Sequence, residues 1–122
     1  MANESGETSM LIGSDKVEGT DVYGSDGSKI GSIERLMIGK RDGKVAYATL
    51  AFGGFLGIEN DYYPIPWSML KYDTELGGYK TNLTEAQLDG APRYSKDSDW
   101  GWDEANSRKV SDFYKQPFVQ WD

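Results

Sequence analysis

The sequence predicts a mainly β fold, a small β-barrel with one short helix and a helical C-terminal extension. Three observations predict it. Asp26-Gly27 and Asp42-Gly43 lie between runs of β-formers, and Asp-Gly supplies the positive φ that hairpin turns need. "VAYATLAF" (Val45 to Phe52) is apolar at both parities, the pattern of a central strand buried on both faces. "LTEAQLDGAP" (Leu83 to Pro92) carries a capping box, Thr84 with Gln87, and Gly90 and Pro92 then stop the helix.

The remaining elements follow in chain order. Met1 to Met10 is small and polar and reads as a loose tail. In "LIGSDKVEG" an apolar pair docks the start of the domain. "TDVY" (Thr20 to Tyr23) is a short strand, and "GSDGS" turns the chain. In "KIGSIERLMIG" (Lys29 to Gly39), Ile30, Leu36 and Ile38 share one parity while Ile33 and Met37 share the other. Strict alternation therefore fails near Ser32 to Arg35, which predicts a bulge or a sharp coil. A helix is the rival reading, but the bracketing glycines and turns favour a strand. Asp61 to Ile65 is a strand whose end lies at an edge or corner, because Pro64 and Pro66 have no N–H to donate. "WSML" is a single turn, "KYDT" and "YKTN" are short strands, and "ELGG" turns between them. Asn82-Leu83-Thr84 matches a glycosylation sequon, but capping already accounts for Thr84.

Ser95 to Asp122 differs in composition. It holds Trp100, Trp102, Phe113, Tyr114, Phe118 and Trp121. Apolar residues at 102, 105, 110, 113 and 114 form a helical stripe, which predicts a helix near 99–115 capped by Ser98 or Asp99. Asp103 and Glu104 in its first turn and Lys115 in its last suit the helix dipole, and Pro117 ends it. The domain division is thus a tail over 1–10, a barrel over 11–94 and an aromatic-rich extension over 95–122.

Composition excludes several functions. With 122 residues, one domain is expected. The chain has no cysteine and no histidine. Disulfides, thiolate metal sites, Ser-His-Asp and Cys-His chemistry are therefore ruled out. The net charge of −7 opposes phosphate backbones, and the one dense basic cluster, Gly39 to Lys44, reads as a solvated turn. No apolar run approaches the roughly 20 residues of a membrane helix, and the first residues lack the features of a signal peptide. A cytoplasmic protein without direct membrane insertion and without nucleic acid as a partner is expected.

Five short motifs occur in order: "DGSKIG" (Asp26 to Gly31), "DGKVAY" (Asp42 to Tyr47), "GGFLG" (Gly53 to Gly57), "IPW" (Ile65 to Trp67) and "LDGAP" (Leu88 to Pro92). Together, from Leu11 to about Tyr94, they closely resemble the PRC-barrel family. Its namesakes are the cytoplasmic domain of the photosynthetic reaction centre H subunit and the C-terminal domain of a ribosome-maturation factor. The resemblance implies a small, strongly bent barrel that serves as a partner-binding scaffold rather than a catalyst. It does not reach the first ten residues or Ser95 to Asp122. Where many relatives carry a glycine and a lysine after GGFLG, this chain has Ile58, Glu59, Asn60 and Asp61. The loop is therefore acidic, which argues against an anion site.

"GGFLGIENDYYPIPW" could hold a ligand or turn a corner. A phosphate cradle needs a helix N-terminus or a nest of N–H groups, usually with a basic side chain. Here Glu59 and Asp61 follow, and the spacing fits no phosphate motif. Gly53, Gly54 and Gly57, with Pro64, Pro66 and Trp67, read instead as a structural corner, with Gly53 or Gly54 at positive φ and Trp67 filling the core. Phe55 and Leu56 plug the barrel end or stand exposed as a contact. Neither the calcium loop suggested by "DVYGSDGS" nor a carboxylate pair has the required spacing or cleft. No catalytic residue, cofactor or metal is expected. The candidate partner-binding residues are Phe55, Leu56, Trp100, Trp102, Phe113, Tyr114, Phe118 and Trp121. A non-catalytic, self-associating interaction module is expected, a homodimer with an unidentified protein partner. The alternative is a ligand-binding or enzymatic barrel using Glu59 to Tyr63.

Overall fold

A computed structural model describes residues 10–53, 60–95 and 100–116. Its elements are α1 (Ser14–Val17), β1 (Asp21–Tyr23), β2 (Lys29–Ile38), β3 (Val45–Gly53), β4 (Asn60–Pro66), a 3₁₀ turn (Trp67–Met69), β5 (Lys71–Asp73), β6 (Gly78–Lys80), α2 (Glu85–Leu88), β7 (Tyr94–Ser95) and α3 (Glu104–Tyr114). The strands form one sheet in the order β5-β6-β1-β2-β3-β4-β7. β1 and β6 run parallel, and every other pair is antiparallel. The described fold is thus mainly β, as expected, but β5 and β7 stand at opposite ends of the order and the sheet is not closed.

The parity break in β2 is a pair of bulges that act together. Ile33 faces Leu50 and Arg35 faces Thr49, so Glu34 is the extra residue, inside the stretch where alternation fails. On the other edge Gly31 faces Val22 and Lys29 faces Tyr23, so Ile30 is extra there. Ile30 and Ile33 are therefore both buried despite opposite parity, and Leu36 is brought opposite Ala48. Bulges bend and twist a strand, and here they wrap one apolar set around one core.

That core holds Val22, Ile30, Ile33, Leu50, Ile65, Leu88 and Val110 as fully enclosed side chains. The register places Ile33, Leu50 and Tyr63 across from one another, with Ala48 opposite Ile65 in the next inward row. Tyr47, Thr49 and Ala51 share the other face of β3 with Pro66, Pro64 and Tyr62. Tyr47 to Leu50 are all buried, so β3 is covered on both faces as its sequence predicts. β4 meets β7 only at Asp61 and Tyr62, which leaves its proline half paired to β3 alone among the described strands. The missing N–H groups of Pro64 and Pro66 thus fall where no ladder needs them.

The capping box on α2 is present in full, with Gln87 N–H donating to Thr84 and Thr84 N–H donating back to Gln87. Two start-of-chain features depart from expectation. Only Ile12 of the Leu11-Ile12 pair packs against the core, while Leu11 is exposed and Val17 of α1 is buried. α1 itself has no apolar periodicity to announce it, being four residues long.

Candidate interaction surface

The described part of the extension, residues 100–116, packs on its own chain. Trp100 and Trp102 precede α3 and are half-buried. Trp100 stacks on Tyr94 at 5.5 Å with the rings 19° apart, Tyr94 meets Tyr62 at 5.5 Å, and Trp102 meets Tyr47 at 5.6 Å. With Trp100 and Trp102 6.2 Å apart, the rings make a continuous row from β4 through β7 to β3. Burial pushes the Tyr94 hydroxyl above its ordinary range.

α3 begins later than its composition predicts. Asp103 caps it by accepting from the Asn106 N–H, in place of Ser98 or Asp99, which lie outside the described residues. Its buried face is Ser107, Val110, Ser111 and Tyr114, which keeps Val110 and Tyr114 of the predicted stripe and adds two serines. Ala105 is exposed, and Phe113 is 39% exposed. The serines win the inner face because small side chains let the helix approach the sheet, where the Ser111 and Tyr47 hydroxyls lie 3.4 Å apart. Tyr114, expected as a contact residue, is 7% exposed, and burial raises its hydroxyl's pKa well above the usual tyrosine range. Lys115 does not extend the last turn; it adopts φ 56° and ends the helix. Phe113 rests against Tyr114 and faces Gly90.

At the other predicted region, Gly53 is the last residue of β3, opposite Asn60. Gly54, Phe55, Leu56, Gly57 and Glu59 lie outside the described residues, as do Phe118 and Trp121. Arg93, which the sequence reading passed over, organises the neighbourhood. It donates to the Tyr63 hydroxyl at 3.2 Å, pairs with Asp61 at 3.6 Å and donates to the Asp89 carbonyl. The acidic-aromatic set thus has Asp61 paired with a guanidinium and Tyr63 buried in the core. Among the described residues no group of carboxylates is placed to hold a metal ion. Only its position after the helix stop, beside a tyrosine, hints at Arg93 in the sequence.

Trp67 is half-buried rather than enclosed. Its ring lies 5.4 Å from Tyr79, and its flank forms a wall of an apolar groove of about 510 Å³ with Val45, Ala46, Tyr47 and Pro66. A smaller recess bounded by Met37, Ile38 and Trp102 shares Gly39, Ala46 and Tyr47 with it. Ile38 beside it is 52% exposed. A second groove, of about 530 Å³, is of mixed character, bounded by Met69 and Tyr72 as well as Lys71, Lys80, Thr81 and Asn82. Ser68 and Gln116 form part of the wall of both large grooves, and the Ser68 hydroxyl donates to Gln116 Oε1 at 3.2 Å.

The family model described as PRC-barrel domain matches residues 11–88. No curated protein matches the chain. The match ends at the last residue of α2, so β7, Trp100, Trp102 and α3 lie beyond it.

Proposed function

We propose, from the premise that the chain belongs to the PRC-barrel domain family, that it is a non-catalytic interaction and assembly module. The observation that carries this reading is the apolar groove beside Trp67 and Tyr47, continuous with exposed Ile38. Apolar concavities with aromatic walls take up apolar side chains of a partner. The closed, strongly bent barrel belongs to the same proposal, supported by the bulges that bend β2.

Self-association is the second part of the proposal. Among the extension's described aromatic residues Trp100, Trp102 and Tyr114 pack within the chain, but Phe113 stays 39% exposed on α3. A homodimer through this outer face follows. Light scattering at about 100 μM, far above the dissociation constant of an ordinary stable dimer, is expected to give the dimer mass. Phe113→Asp is expected to give the monomer mass with an unchanged melting temperature. A parent that is already monomeric at that concentration ends the dimer proposal.

Nucleic acid is not a partner in this reading. Among the described residues Lys29, Arg35, Arg93 and Arg108 are each engaged with a carboxylate, and the whole chain carries −7. Short RNA and DNA at about 0.1 M salt, where the Debye length is about 10 Å, are expected to show no anisotropy change at micromolar protein. Saturable submicromolar binding would overturn this and favour a ribosomal role. Among the described residues no helix is long and apolar enough to cross a membrane.

A further inference from the structure

α3 does not fray at its end. Lys115 takes the left-handed conformation, and the Gln116 N–H closes back on the Ser111 carbonyl at 2.9 Å. That bond is the signature of a firm helix stop. The Ser68–Gln116 bond then fixes the side chain where the two large grooves meet. The next residue is Pro117, which biases Gln116 towards extended backbone. The chain is thus delivered at a fixed point on the wall of the apolar groove. Residues 117–122, outside the described set, read Pro-Phe-Val-Gln-Trp-Asp. Extended, six residues reach about 20 Å.

We propose that this segment is the resident occupant of the groove, with Phe118 and Trp121 against Val45, Ala46, Pro66 and Trp67 of the same chain. Tethering decides between the same chain and a second copy. A short connection gives an effective concentration of about millimolar, well above that of a second copy at micromolar protein. The groove would then be a site for aromatic-bearing segments that is covered by its own tail. A partner segment would have to displace the tail. The inference rests on reading the groove as an interaction site, and the experiment separates the two.

The first measurement is on the full chain, labelled with ¹³C. Nuclear Overhauser contacts are expected between the Trp121 ring and the Val45 and Ala46 methyls. An equimolar mixture of labelled and unlabelled chains, filtered for contacts between chains, is expected to lose them. Contacts surviving that filter assign the segment to a second copy and overturn the proposal, and so does the absence of contacts from the uniformly labelled sample. The second measurement uses the synthetic peptide Pro-Phe-Val-Gln-Trp-Asp as probe. The full-length double variant Phe118→Ser, Trp121→Ser is expected to bind it at least about tenfold more tightly than the parent, whose own tail competes. Equal binding to both overturns the covering tail but leaves the groove an interaction site. Binding to neither overturns both.

Discussion

Gly31→Ala is expected to lower stability by about 2–4 kcal/mol, combining backbone strain with overpacking. Gly31 sits at φ 157°, in a region that L side chains rarely adopt. A Cβ there would stand 2.5 Å from the Ala51 carbonyl oxygen and 2.9 Å from Leu50 Cδ1. The carbonyl belongs to central strand β3 and cannot step aside without disturbing a ladder that continues into β4. Gly27 is the matching control. It has φ 86° but open space where a Cβ would go, so Gly27→Ala pays for conformation alone, about 1–2 kcal/mol. Urea denaturation of the two variants side by side isolates the contact. If Gly31→Ala is no less stable than Gly27→Ala, the close approach of β2 to β3 is wrong.

That pair shows where sequence reasoning stops. Asp26-Gly27 is legible because turn chemistry is local: the Asp26 carboxylate accepts from the Ser28 hydroxyl and N–H, which also holds it below the usual carboxylate range. The second glycine of "DGSKIG" is not legible in that way. Its necessity comes from Ala51, far along the chain, and only register reveals it. The same division runs through the whole molecule. Hairpin turns, the bulge at Glu34 and the α2 cap depend on neighbours and are readable. β7 is two residues long and exists only because Asp61 and Tyr62 offer an edge. Hydropathy placed Val110 and Tyr114 on the inner face of α3 correctly but added Phe113 and missed Ser107 and Ser111, since it ranks Phe above Ser while close packing ranks small above large. The groove was not legible either, because it needs the half-exposed flank of Trp67 beside residues from β3 and the end of α3.

The extension is expected to be a structural part of the domain even though the family match stops at Leu88. Val110 is 0% exposed, in the same core cluster as Ile33, Leu50 and Ile65. Val110→Ala removes two methyl groups and is expected to cost about 2 kcal/mol. Val110→Asp puts a carboxylate into this cluster of buried apolar side chains and is expected to cost at least about 3 kcal/mol near neutral pH. Its pH dependence identifies the cause. Burial would raise the new carboxyl's folded pKa above its unfolded value of about 3.9. The deficit relative to Val110→Ala should therefore be smallest below about pH 4, where the group is protonated in both states. It should grow as pH rises through the folded pKa, because only the unfolded chain then gains an easily solvated charge. Urea titrations of parent and both variants at acid and neutral pH test this. A deficit for Val110→Asp that does not change with pH would mean that α3 lifts away and leaves the carboxylate in water. A melt equal to the parent's would mean that α3 is not docked through this face, and that the tryptophan row alone holds the extension to the sheet.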